Sequence, residues 1–263
     1  MKPVPCLRLS CLLLLGVTIG VILASCSSSR HAQTPVQDQA PILTSSEPSI
    51  FPESWQRPPI SASGAALDAG EFERARRVVR RALAKYPEAV QRAHLKQVYV
   101  LAELRYSGIV TSGTNSRTAV YLKVGEPRRG FTDAHIERTF HAEFSSILLR
   151  NRPADFDAEA WLAVNPPDFV YLGTGVDAVK QRKAGLTLSD TLHQEGFLRE
   201  YSRSTMENDV NGFAAMMFTG DPALWDIASR FPRIRAKLDL MLRFFQKLDP
   251  VFDEAYFRAL RAR

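Results

Sequence analysis

The chain has 263 residues, of which 45% are hydrophobic and 24% charged, ordinary values that exclude a disordered tail, a collagen-like repeat and a polytopic membrane protein. Its three cysteines, Cys6, Cys11 and Cys26, all lie in the first tenth of the sequence, so the remainder holds no disulfide scaffold, cysteine nucleophile or Cys-ligated zinc site. Lys and Arg outnumber Asp and Glu by six; two of the cations, Lys2 and Arg8, fall in a segment read below as removed, and the four left over do not imply nucleic acid.

Lys2 and Arg8 precede an apolar run from Leu12 to Leu23, which ends in Ala24, Ser25 and Cys26. The run is too short for a transmembrane helix, which needs roughly 20 apolar residues. A positive flank, a short apolar core and small residues at its end describe a secretory signal. Leu23-Ala24-Ser25-Cys26 resembles the lipobox of bacterial lipoproteins, which implies cleavage after residue 25 and acylation of Cys26. Several acyl chains, at about 0.8 kcal/mol per buried methylene, hold a protein firmly at a bilayer. Ser27 stands where an Asp would favour inner-membrane retention in that pattern, so the resemblance implies the outer membrane. Residues 26–64, rich in Ser, Pro, Gln and Thr, read as a flexible tether in which Phe51 and Trp55 are isolated apolar residues.

A single domain is expected over 65–263. Ala66 to Lys85 reads as a basic amphipathic helix, with Leu67, Phe72, Ala75, Val79, Ala82 and Leu83 on its apolar stripe and Arg76, Arg77, Arg80 and Arg81 facing water. Its phrasing from Gly70 to Pro87 looks like one helix of a tetratricopeptide repeat, an alternative that makes it an interaction module, but no second copy follows at about 34 residues. Gln97 to Tyr106 and Thr118 to Val124 read as strands of a small antiparallel sheet. After Gly130 the period becomes helical, with Thr132 or Asp133 as cap and Pro153 as stop. Further helices are expected at Ala158 to Val164, around Asp177, and over Gly196 to Ser204, Met206 to Phe218 and Ile234 to Leu248, with an extended stretch from Asp168 to Leu172. Strands first and helices afterwards predict an α+β fold dominated by helix.

In the helix after Gly130, Ile136, Phe140 and Ile147 stand within roughly 60° of Glu143 around the axis, so Glu143 lies inside an apolar stripe. A buried carboxylate must be neutralised, hydrogen-bonded or bound to a cation, and Thr139, Ser146 and Arg150 are its expected neighbours. Glu207 leans onto the apolar side near the start of its own helix, where Asp209 also sits and where the helix dipole favours acids. Glu143, Glu207 and Asp209 together could attract a hard cation such as calcium or magnesium.

The segment Thr139-Phe140-His141-Ala142-Glu143-Phe144-Ser145-Ser146-Ile147-Leu148 resembles the active helix of a family of zinc-binding metallopeptidase lipoproteins of Bacteroidetes, whose pattern is His-Glu-Phe-x-His-Ile-Leu. There the two histidines bind zinc and the Glu activates its water. Glu143-Phe144 and Ile147-Leu148 match, whereas the ligand positions hold Ala142 and Ser146, so the resemblance implies a degenerate site with no resident zinc. It further implies a zincin-like fold, Glu143 as a remnant general base, and Glu207, Asp209 and Ser146 as binding residues. It also implies a surface lipoprotein linked to glycan uptake whose partners are a peptide, a glycan or another lipoprotein. The expectation is thus a non-catalytic binding protein; the alternative is a hydrolase using Glu143 with an unorthodox metal or none.

Overall fold

A computed structural model describes residues 40–260; the expected signal segment and Cys26 lie outside the described residues. In chain order the elements are β1 (Ile42–Leu43), β2 (Ser63–Ala66), α1 (Ala69–Leu83), α2 (Glu88–His94), β3 (Gln97–Tyr106), β4 (Ile109–Val110), β5 (Gly113–Asn115) and β6 (Ala119–Lys123). Helices follow: α3 (Asp133–Asn151), α4 (Ala158–Val164), α5 (Gly175–Lys180), α6 (Asp190–Glu195), α7 (Met206–Thr219), α8 (Pro222–Arg230), α9 (Pro232–Leu248) and α10 (Glu254–Ala259). The fold is α+β and dominated by helix, as the order of elements in the sequence predicts.

The sheet is mixed rather than antiparallel. Its strand order is β1-β3-β6-β5, and β2 and β4 also pair with β3. The two long strands run parallel, with Val98 opposite Val120 and Val100 opposite Leu122. The chain between them turns back through β4, antiparallel to β3, and β5, antiparallel to β6, which lets β6 re-enter alongside β3. Strand propensity identifies the two runs but carries no information about their relative direction.

Alternation along β3 and β6 divides their side chains between two cores. Val98, Val100, Val120 and Leu122 join the large helical core. Tyr99, Leu101, Ala119 and Tyr121 face the other way, onto Ile50, Phe51 and Ala62. Phe51 stacks on Tyr121 at 4.9 Å between ring centroids, Trp55 meets Tyr106 edge-on at 5.0 Å, and the Tyr121 hydroxyl donates to the Ile50 carbonyl at 2.7 Å. The expected tether of 26–64 therefore reaches too far. From β1 onward the chain is part of the domain, because a sheet with apolar residues on both faces needs a cover on each.

Helix α3 is the axis of the helical layer. Its N-terminus is capped by the Thr132 hydroxyl, which accepts from the His135 backbone N–H at 3.2 Å. Phe140, Phe144, Ile147 and Leu148 are fully buried, but so are His141 and Ser145, because α3 packs against α1 and the sheet on one side and α7 on the other. The apolar stripe of α1 (Ala75, Val78, Val79, Ala82 and Leu83) is wholly absorbed into this core. The expected helix at Gly196 to Ser204 is displaced: α6 ends at Gly196, which takes the left-handed conformation (φ 93°), and only a 3-10 turn, Glu200–Arg203, lies beyond it. No strand forms over Asp168 to Leu172.

Phe51→Ala provides a direct test of the added cover. Removing this buried ring is expected to cost about 3 kcal/mol in urea unfolding, within the usual range for a core aromatic. A tether residue would give no measurable change.

Candidate functional site

Glu143 sits on α3 beneath the edge strand β5. A side chain at Gly113 would collide with it, since a Cβ there would lie 2.7 Å from Glu143 Oε1 and 2.6 Å from Thr139 Cγ2. The strand can approach the helix this closely only with glycine at that place. Two residues further along β5, Asn115 donates its amide N–H to Glu143 Oε2 and accepts through Oδ1 from the Arg150 guanidinium. Arg150 continues the chain of contacts, donating to the Ser116 carbonyl at 3.1 Å and to Glu207 Oε1 at 3.0 Å. One guanidinium thus ties α3 to α7 and to the end of β5.

Glu143 is only partly exposed. Burial pushes its carboxyl up to about 7; the Asn115 hydrogen bond opposes this, the Glu207 charge adds to it and Arg150 holds it back. Tyr201 completes the surroundings. Its hydroxyl is raised to about 12 by burial and by the charges of Glu143 and Glu207.

The remaining expected site residues are placed elsewhere. Ser146 is buried, and its hydroxyl accepts from the Asn211 amide of α7 at 2.7 Å. Asp209, two residues beyond Glu207, points into the core and forms a fully buried ion pair with Lys237 of α9 at 2.6 Å. Trp161 Nε1 and the Tyr171 hydroxyl donate to the same oxygen at 3.2 and 3.0 Å. Lys237 also lies over the Phe197 ring at 4.1 Å from its centroid. Burial raises the Asp209 carboxyl even against the lysine, and lowers the Lys237 ammonium. The expected cluster of Glu143, Glu207 and Asp209 is therefore divided, and each of the last two already has a cation from the protein.

Two of the histidines are built into the packed interior. His141 is buried between Tyr86 and Phe218, with Nδ1 2.9 Å from the Tyr86 hydroxyl, and burial lowers it to about 4. Burial alone would raise its neighbour Glu137, but hydrogen bonds from His141 and Lys85 bring that carboxyl down to about 2. His193 is buried as well, with Nδ1 3.3 Å from Asp190 Oδ1 and its ring against Phe231. Among the described residues no group of three or more His, Cys, Asp or Glu side chains converges on a point where a metal ion could be held. Zinc, which takes four close N, S or O ligands, does not fit the residues around Glu143: Ala142 offers no donor and Ser146 is turned into the helix interface.

Beside Arg150 an open cleft of about 530 Å³ runs between the β5–β6 turn and the N-terminal cover. Its lining includes Trp55, Tyr106, Asn115, Arg117, Thr118 and Arg150. Of these residues the sequence pattern pointed only to Arg150, as a neighbour of Glu143. Asn115 and Arg117 belong to a short turn with no periodicity, and Trp55 lies in the segment read as tether. Lys237 did leave a signal: it is three residues after Ile234 and four before Met241, a cation inside the apolar face of α9.

The fold is a helical α+β architecture in which Glu207 and Asp209 are each paired with a basic side chain from another helix. No family model matches the chain. No curated protein matches it. Among solved structures it is similar to one described as a "putative zinc-binding metallo-peptidase from Bacteroides caccae", at 15% identity and a TM-score of 0.49, over 75% of this chain and 78% of that one.

The raised Glu143 carboxyl sets a pH dependence. Between about 4.5, its ordinary value, and about 7 the folded protein holds a proton that the unfolded chain has lost, so stability falls as pH rises through that window. Glu143→Gln removes this slope. Its stability relative to the parent chain is expected to improve by about 1 to 2 kcal/mol between pH 4 and pH 8 in urea unfolding, a figure discounted for the partial exposure of Glu143. An equal difference at both pH values would contradict the raised carboxyl.

Proposed function

We propose that this chain is a non-catalytic binding protein on a metallopeptidase-like scaffold, anchored in the outer membrane through acylated Cys26. The observation that supports this reading is the Arg150 guanidinium, which joins Glu207 to Asn115, the same residue that holds Glu143. A built-in cation occupies the attention of the acidic groups that a metal would need, and the imidazoles of a zinc helix are absent from positions 142 and 146. The resemblance to surface lipoproteins supports a peptide, a glycan or a partner lipoprotein as ligand, with the cleft beside Arg150 as the place that receives it.

One observation favours a second reading. A carboxyl that titrates at about 7, with Oε1 free of hydrogen bonds among the described residues, has the proton affinity of a general base acting on water. In that case Glu143 would take a proton from water as it attacks an acyl carbon, with no metal in the step.

Both readings are separated by one set of measurements on purified protein. The binding reading predicts no stoichiometric zinc by elemental analysis and no peptide hydrolysis, in the parent chain and in Glu143→Gln alike. One tightly bound zinc with hydrolysis abolished by that substitution would overturn it. Hydrolysis that survives chelation and disappears in Glu143→Gln would establish the second reading.

A further inference from the structure

The cleft beside Arg150 has a composition that specifies its ligand more closely than the reading above, on which this inference rests. Its volume of about 530 Å³ lies within the range of small-molecule sites, roughly 300 to 1,000 Å³. Two arginines line it and no carboxylate does. Arg150 is partly buried, anchored by Asn115, the Ser116 carbonyl and Glu207. That anchoring fixes the guanidinium at the edge of the cleft and leaves little net charge on it. Arg117 is different: it is exposed at the tip of the β5–β6 turn, and its guanidinium makes no hydrogen bond or ion pair among the described residues. It supplies the uncompensated positive charge.

The lining also holds two aromatic side chains. Trp55 and Tyr106 meet edge-on, and both remain half-buried rather than fully covered where they line the cleft. Trp55 is held from behind by Tyr121 at 5.9 Å, within the buried core that covers the sheet. This pair is therefore part of the packed domain and not a loose side chain. Thr118, also in the lining, carries a hydroxyl that can donate or accept a hydrogen bond.

We infer that this cleft binds a small carboxylate carried on a ring, with the ring against Trp55 and Tyr106 and the carboxylate on Arg117. A guanidinium pairs with a carboxylate through two parallel N–H···O bonds, and a lone charge would not need the aromatic pair. An aromatic acid and an acidic sugar share this chemistry, since both present a flat or CH-rich ring face beside a carboxylate.

Calorimetric titration of the full chain in detergent tests the inference, with phenylacetate and methyl glucuronide as carboxylate probes and phenylacetamide and methyl glucoside as their neutral counterparts. At least one carboxylate is expected to bind about tenfold more tightly than its neutral counterpart. Arg117→Ala and Trp55→Ala should each weaken it by about fivefold or more, with the fold of each variant checked by circular dichroism. The tighter of the two carboxylates identifies the source as an aromatic acid or an acidic sugar. Binding of neither carboxylate, equal binding of the neutral counterparts, or an unchanged affinity in Arg117→Ala would overturn the inference. Zinc-free, inactive protein that takes neither carboxylate removes this site and leaves the binding reading standing; carboxylate binding by a chain that hydrolyses peptides keeps the site and removes that reading.

Discussion

The Arg150 guanidinium is the contact on which the functional face of the molecule depends. It lies seven residues after Glu143 on the same helix, reaches across to Glu207 on α7, and clasps the end of β5 through Asn115 and Ser116. As a half-exposed pair Arg150 and Glu207 contribute little by themselves, about 0 to 1 kcal/mol. Its importance is geometric. Because Asn115 accepts from Arg150 with its oxygen, its amide N–H is aimed at Glu143, so the arginine sets the orientation of the group that holds the carboxylate.

The same solution is used a second time, deeper in the protein. Asp209 is two residues from Glu207, and its charge is met by Lys237 with support from Trp161 and Tyr171. A fully buried pair is weak evidence for net stability, because desolvation offsets much of the attraction; breaking it by removing one partner typically costs about 3 to 5 kcal/mol. The helix α7 therefore presents acids on two faces, and each face has its own basic partner from a different helix. That arrangement leaves no cluster of free carboxylates for a divalent cation.

Much of the architecture could be read from the chain. The helix from Thr132 to the stop before Pro153, the long strand at Gln97 to Tyr106 and the helices α4, α7 and α9 follow from period and capping. Parallel pairing of β3 and β6 could not be read, because pairing direction depends on how the short β4 and β5 fold back and not on the strands themselves. The cover formed by Ile50, Phe51 and Trp55 was hidden in a Pro- and Ser-rich stretch whose few apolar residues carry no regular spacing. At the site, helical geometry gave Glu143 its place inside the apolar stripe with Arg150 nearby. The same geometry already sets Glu207 and Asp209 about 200° apart around α7, so their grouping went against the spacing; only the packing partners show that Asp209 is the inward one. Ser146 could not be told from a helix contact in the sequence, because α3 is enclosed on both sides and its inward position meets Asn211 of α7.

The most direct measurement of this account is a carbon NMR titration of the Glu143 carboxyl in the parent chain, in Arg150→Met and in Glu207→Gln. Removing the guanidinium should move the midpoint above about 7, and removing the Glu207 charge should move it below, because Arg150 holds the carboxyl down while Glu207 pushes it up. A midpoint that stays fixed in both variants, or shifts in the same direction in both, would contradict a site governed by the charge of Arg150.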